Sequence, residues 1–203
     1  MPANLSASDI EVLSVLEAVR RRPAMYVGPL DDPLLANRLL EEGLCLSIVS
    51  ARKKEATKVS VRLGPDEGEA TITDDGLGLP LKVHKLRGRE DALAESIFTQ
   101  LYGCRDLKDN NDDKAHCSMG IVVLNALCSS LDVWTWVEGN EWTMRFERGN
   151  LVSRFTKGAP TTRHGMEISF KLDAAIIQKR AFQIDDLRAW GQGVFGEATF
   201  EVT

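Results

Sequence analysis

The chain has 203 residues and a formal net charge of −5, which is enough length for one large domain or two small ones. The acidic balance argues against a general nucleic-acid or membrane-surface binder, so we expect no direct binding to DNA. No apolar run approaches the length of a membrane span, and the N-terminus lacks the regions of a signal peptide. These features predict a cytoplasmic protein with no membrane partner.

The N-terminal region has the pattern of a helix followed by a loop. Ser8–Glu11 has the form of a capping box, and apolar residues at helical spacing follow it. We therefore predict a helix from about Ile10 that stops before Pro23. Arg20–Arg22 is interpreted as the solvated end of this helix. Residues 24–31, which include a Gly-Pro pair, are predicted as a loop.

A second helix and a hairpin come next. Asp32 and the proline after it predict a helix start, and the apolar spacing continues to about Arg52. Val59 and Val61 begin a strand, and a turn leads into a returning antiparallel strand at 70–73.

The returning strand runs directly into a short polar stretch. It is made of two carboxylates, two glycines and a proline: Asp74, Asp75, Gly76, Gly78 and Pro80. Glycines let the backbone approach a ligand closely, and a neighbouring carboxylate supplies an acceptor. An Asp-Gly hairpin turn is the alternative, although residues 79–89 look basic and irregular and offer no partner strand. On these residues alone, a ligand loop and a turn both stay open.

The second half of the chain alternates helical and strand patterns. Helices are predicted at 90–102, 118–131 and 174–190, and strands at 132–138, 141–147, 151–157, 166–172 and 198–202. Residues 104–117 are polar, without periodicity, and form a loop of the length that usually carries function or disorder. The element order predicts an α+β fold, with one sheet and helices on one of its faces.

The aromatic residues of the strands and the cysteines are further candidates for functional residues. The aromatic residues at alternating strand positions are Trp134, Trp136, Trp142 and Phe146. Such spacing is more typical of a core than of a partner-binding surface, which stays as the alternative. The cysteines lack CxxC spacing, so no metal site is predicted.

Four stretches in register resemble one known family. They are Leu16–Gly28, Asp74–Pro80 with its DxGxG pattern, Leu124–Leu127 and Gly165–Phe170. Together they resemble the ATPase domain of the B subunit of DNA gyrase and its topoisomerase IV relative, from about Ile10 to Val202. The resemblance implies the GHKL (Bergerat) fold, a mixed, mostly antiparallel sheet backed by helices. It implies a single domain over 1–203, with an N-terminal arm at 1–9 and a lid-like loop at 104–117. The transducer and DNA-cleavage domains of the family are expected to be absent.

The resemblance also implies roles for particular residues. Glu42 takes the position of the general base that activates water, and the Mg²⁺ ligand position four residues later falls on Leu46. Asp74 takes the position of the adenine acceptor. The remaining nucleotide-binding positions fall on Gly76, Gly78, Pro80, Gly120, Gly165 and Met166.

Several of these positions depart from the family pattern. Leu46 cannot ligate a hard cation that needs oxygen donors. Met166 replaces a threonine that helps to hold adenine, which leaves Asp74 with fewer partners and fills part of the base pocket. Only Gly120 remains of the glycine-rich run that wraps the phosphates. We therefore predict no firmly held cofactor, with ATP and Mg²⁺ as the alternative, and Glu42 as a surface charge is weighed equally against catalysis.

These departures favour a binding or regulatory module with lost or weak ATP binding and hydrolysis, linked to DNA topology or gyrase. The first alternative is a slow Mg-ATPase that uses Asp74 and Glu42. The second is a decoy for gyrase-directed inhibitors, against which Val137 stands at the position of a family arginine. The N-terminal arm implies a homodimer or pairing with a gyrase or topoisomerase subunit, with a frayed terminus as the alternative.

Overall fold

The computed structural model describes residues 12–86, 89–101 and 118–203. Its helices are Val15–Arg21 (α1), Ala24–Val27 (α2), Leu35–Gly43 (α3), Cys45–Arg52 (α4), Leu93–Thr99 (α5), Ile121–Leu127 (α6) and Ile184–Gln192 (α7). Its strands are Lys58–Leu63 (β1), Glu69–Asp74 (β2), Val83–Leu86 (β3), Arg89–Ala92 (β4), Cys128–Val137 (β5), Asn140–Glu147 (β6), Asn150–Pro160 (β7), Gly165–Leu172 (β8) and Thr199–Val202 (β9). The predicted arm at 1–9 and the loop at 104–117 lie outside the described residues.

A seven-stranded sheet organises the fold, in the order β7-β6-β5-β8-β2-β1-β9. All its neighbouring pairs are antiparallel except β1 and β9, which run parallel. The predicted α+β fold with a mixed, mostly antiparallel sheet is therefore confirmed. Within residues 12–86, 89–101 and 118–203, no helix combines the length and apolar character needed to cross a bilayer.

The core lies between the helices and one face of the sheet. Alternate strand residues such as Ile72, Val133 and Ile168 are fully buried there. Gly43 lies against this layer, because a Cβ at that position would come within 2.7 Å of Leu124 Cδ2 and 3.0 Å of Ile72 Cδ1. A glycine therefore lets α3 approach α6 and the sheet closely.

The first helix begins later than predicted. Ser14 caps α1 and Glu17 completes a capping box, so the same Ser-x-x-Glu pattern works six residues downstream. The Ser8–Glu11 stretch lies outside the described residues, and Val12 is 90% exposed and not helical. The predicted loop at 24–31 contains the short helix α2.

The interpretation of Arg20 as part of a solvated helix end is wrong. Its guanidinium donates to the backbone carbonyls of Ala126, at 2.7 Å, and Cys128, at 3.3 Å, and forms an ion pair with Asp173. This side chain therefore joins α1 to the point where α6 passes into β5.

Several other boundaries differ from the prediction. The helix predicted to run to Arg52 is divided at Leu44 into α3 and α4. The helix at 118–131 ends at Leu127, because Cys128 onward pairs with β6 and β8, and an apolar run alone does not separate helix from strand. The helix at 174–190 is reduced to α7.

The region after Pro80 also differs, since β3 and β4 form a two-stranded hairpin where no strand was predicted at 79–89. The helix predicted at 90–102 is correspondingly shortened to α5.

The aromatic residues divide between the two faces of the sheet. Phe146 is fully buried and stacks on Phe98, as the core interpretation predicted. Trp142 is half-buried and stacks on Phe155. Trp136 lies on the other face, where Arg163 covers its ring at 3.5 Å from the centroid.

Candidate functional site

A cavity of about 390 Å³ opens where β2 ends. Its wall is formed by α4, the loop after Asp74, the end of β5 and the start of β8. The lining residues that bear on function are Leu46, Asp74, Gly78, Pro80, Val137 and Met166. A volume of this size lies in the range of ligand pockets.

Asp74 is the one carboxylate buried in this wall, with 5% of its surface exposed. Its Oδ2 accepts from the Ser47 hydroxyl at 2.7 Å, and its Oδ1 accepts from the Gly76 backbone N–H at 3.0 Å. Burial raises the pKa of Asp74 above its usual range, because the hydrogen bonds from Ser47, Gly76 and Met166 offset the lost hydration only in part. The deepest polar group of the cavity is thus a carboxyl held in a fixed orientation.

Ser47 is a partner of Asp74 that the sequence did not predict. Its side chain is fully buried on α4, opposite the end of β2. Met166, also buried, forms part of the wall, and the cavity exists beside it. Sequence reasoning missed Ser47 because a single small polar residue in an apolar helix carries no local signal for its distant partner.

Two glycines bring the loop and the neighbouring strand together. Gly78 has φ +76°, and a Cβ there would lie 2.5 Å from Thr135 Oγ1. Gly165 has φ +100°, and a Cβ there would lie 2.0 Å from the Asp74 carbonyl oxygen. The positive φ angles and the contacts both require glycine, so these residues shape the cavity through the backbone.

Thr135 fixes the same loop from β5. Its buried hydroxyl accepts from the Leu79 backbone N–H at 2.9 Å and donates to the Gly165 carbonyl at 3.0 Å. The sequence predicts Thr135 only as part of a strand, and its position among the alternating core-facing residues of β5 is the signal that could have identified it.

Asp75 faces away from the cavity. Its carboxylate accepts from the backbone N–H groups of Thr57 and Lys58, at 2.8 and 2.9 Å, and from the Thr57 hydroxyl. Partial burial raises the pKa of Asp75, but these hydrogen bonds together outweigh it and the pKa lies below its usual range. The two adjacent carboxylates therefore have different roles, and Asp75 holds the loop to β1.

Glu42 lies outside the cavity and binds the backbone before α6. One carboxylate oxygen accepts from the Ser118 N–H at 2.8 Å and from its hydroxyl, and the other accepts from the Gly120 N–H at 2.7 Å. The Met119 N–H is 3.3 Å from both oxygens. The two predicted site residues Glu42 and Gly120 are thus brought together, but by a hydrogen bond to each other.

A second cavity, of about 310 Å³, lies beside Glu42 and is also lined by Glu41, Arg38 and Tyr26. The pKa of Glu41 is raised to about 7, mainly because burial disfavours its charged form; Arg38 lowers the pKa and the neighbouring Glu42 raises it. In the described part of the chain, no group of three or more His, Cys, Asp or Glu residues is placed to hold a metal ion.

The sequence-predicted residues therefore fall into three places. Asp74, Gly78, Pro80 and Met166 line the first cavity, and Gly76 and Gly165 support it from behind. Glu42 and Gly120 form a separate contact.

Comparisons with known proteins show that the chain is homologous to part of the B subunits of DNA gyrase and DNA topoisomerase 4, although no family model matches it. The B subunit of DNA gyrase from Caulobacter vibrioides is 37% identical over 168 residues, which are 80% of this chain and 20% of that protein. The B subunit of DNA topoisomerase 4 from the same species is 35% identical over 177 residues, 86% of this chain and 25% of that protein. The B subunit of the type 2 topoisomerase from Aquifex aeolicus is 31% identical over 186 residues, 91% of this chain and 23% of that protein.

The chain thus spans about a fifth to a quarter of the length of these relatives. The similarity nevertheless covers most of the chain, and it agrees with the mixed sheet and with the glycine loop that follows β2. The chain is a GHKL-type ATPase domain, homologous to the B subunits of gyrase and topoisomerase IV and resembling the N-terminal domain of the gyrase protein.

Proposed function

We propose that this domain is a binding or regulatory module that recognises an adenine-type base through Asp74 and hydrolyses ATP weakly or not at all. The observation that carries the proposal is that Asp74 and Glu42 lie in different surroundings. The Asp74 carboxyl lines an open cavity, whereas the Glu42 carboxylate accepts hydrogen bonds from the backbone of 118–120.

The recognition half of the proposal is supported by the environment of Asp74. A buried carboxyl beside a gap made by glycines can accept from the exocyclic amine of a base. Because Asp74 is almost fully buried, such a hydrogen bond would be stronger than in solution. Loss of the carboxylate should therefore weaken binding substantially.

The weak hydrolysis is supported by the residues around the expected catalytic position. Leu46 is 6% exposed and offers no oxygen to a cation. A general base must reach the proton that it removes, and all the hydrogen bonds described above for Glu42 go to the protein itself. Both features work against a Mg²⁺-dependent attack of water on a phosphate.

Isothermal titration with ATP and Mg²⁺ tests the proposal, using the wild type, Asp74→Asn and Glu67→Gln. We expect weak binding in the wild type, loss of that binding in Asp74→Asn, and little change in Glu67→Gln, whose exposed side chain lies in the turn before β2 and does not line the cavity. Tight binding that needs Asp74, accompanied by phosphate release, would support the slow Mg-ATPase instead.

We also propose that the domain pairs with a second copy or with a type II topoisomerase subunit. The support is that the relatives are themselves subunits, as their names state. Light scattering of the purified chain, and co-purification with gyrase before and after deletion of residues 1–9, would test this. A monomer that recovers no gyrase would contradict it.

A further inference from the structure

The charge of the cavity wall indicates which class of ligand it accepts. The charged side chains among its described lining residues are two lysines and three carboxylates: Lys53, Lys82, Glu55, Asp74 and Glu138. Four of these lie exposed at the mouth, and only Asp74 is buried. A polyphosphate would meet as many carboxylates as lysines at the mouth, so this wall provides no net compensation for its charge.

The inner wall of the cavity is apolar apart from the Asp74 carboxyl and the half-buried Ser50. Leu46, Leu79 and Met166 are each nearly fully buried around Asp74. A carboxylate has about four lone-pair sites, and Ser47 and Gly76 each donate to one oxygen of Asp74. Acceptor capacity therefore remains on Asp74 for the amino group of a flat ring.

The backbone N–H groups of 118–120, which could donate to phosphate oxygens, already donate to the protein itself. The N–H groups of Ser118, Met119 and Gly120 all point at the Glu42 carboxylate, and neither Glu42 nor this segment lines the cavity. A phosphate would have to displace a carboxylate that belongs to the protein. The Glu42 carboxylate therefore occupies the position that a phosphate group of a ligand would need at these N–H groups.

We propose that the cavity selects an uncharged, amino-bearing heteroaromatic ring, such as a purine nucleoside, and disfavours the corresponding triphosphate. This inference rests on the proposed function, because it assumes that Asp74 recognises the base. It goes further in stating that the phosphates oppose binding. Recognition then depends on the ring and its amino group alone.

Titration calorimetry with three probes at constant ionic strength tests the inference. Adenosine carries the ring and the amine, purine riboside lacks the amine, and ATP adds the phosphates. We expect adenosine to bind at least about tenfold more tightly than either other probe, which corresponds to about 1.4 kcal/mol. Added Mg²⁺ should not restore ATP binding, and Glu67→Gln, at an exposed residue outside the cavity, should retain the preference for adenosine.

The outcomes separate the two proposals. If ATP with Mg²⁺ binds as tightly as adenosine or more tightly, and Asp74→Asn abolishes both, the base-binding function stands and the inference is wrong. If purine riboside binds as well as adenosine, the single-amine recognition is wrong. If none of the three probes binds, the proposed function itself fails.

Discussion

Replacement of Glu42 by alanine should destabilise the fold, which is not expected of a side chain that serves only as a catalytic base. In the structure the Glu42 carboxylate accepts from three consecutive backbone N–H groups and one hydroxyl. Ser118 is exposed and can find water instead, whereas the N–H of the buried Gly120 would lose its acceptor. This buried donor therefore dominates the expected effect.

The magnitude follows from the strength of a hydrogen bond to a charged group. Counting the Gly120 bond fully and the exposed ones lightly gives a loss of about 2 kcal/mol. For a chain of this length, that corresponds to a fall of roughly 4–8 °C in melting temperature. Glu42→Gln should retain part of the stability, because the glutamine side chain keeps an oxygen acceptor but loses the negative charge.

Thermal and urea unfolding of the wild type, Glu42→Ala and Glu67→Ala provide the assay. Glu67 is an exposed carboxylate in the turn before β2, away from 118–120, so its substitution serves as the matched control. If Glu42→Ala melts within about 1 °C of the wild type, a change of less than about 0.5 kcal/mol, the structural role assigned to Glu42 is refuted.

Three further substitutions test other contacts. Glu41→Gln should stabilise the protein by roughly 1 kcal/mol at pH 8 and leave its stability unchanged at pH 4. The pKa of Glu41 is raised to about 7 in the folded state, so the charged carboxylate destabilises the fold increasingly as pH rises from its unfolded pKa to 7. The magnitude is reduced for solvent screening, because Glu41 is only partly buried. Melting curves across that pH range would contradict this if the difference were constant. Ser47→Ala should cost about 1–2 kcal/mol and raise the pKa of Asp74 further, which urea unfolding and NMR titration of the carboxyl would measure; an unchanged pKa would count against the Ser47 contact. Arg20→Met should lower the free energy of unfolding by roughly 2–3 kcal/mol, because it removes the ion-pair partner of the buried Asp173. The double variant Arg20→Met/Asp173→Asn should recover part of that loss in urea unfolding, and strictly additive effects of the two substitutions would contradict the coupling.

The sequence predicted the parts of the fold that depend on local pattern. The alternation around Val59 and Val61 and in 70–73 predicted the hairpin that ends at Asp74, and this pairing is present. The start of the first helix was misplaced because two Ser-x-x-Glu patterns lie six residues apart, and only packing decides between them. The end of α6 was misplaced because the apolar run through Cys128 suits a buried helix and a buried strand equally.

The candidate site was predictable in position but not in its contacts. The DxGxG pattern located Asp74, whereas its partner Ser47 is 27 residues away in the chain and is brought to it by tertiary packing. The same holds for Glu42, whose backbone donors at 118–120 begin 76 residues later. The family resemblance implied that Glu42 activates water, with a surface charge as the alternative, and in the structure its carboxylate binds the backbone of 118–120.

The central claim is that this domain recognises a base without working as a Mg-ATPase. Phosphate release from ATP and Mg²⁺, measured side by side for the wild type, Glu42→Gln and buffer, tests it most directly. The account predicts the same background rate in all three. A wild-type rate above background that Glu42→Gln removes, while the variant keeps its folded melting transition, would contradict it.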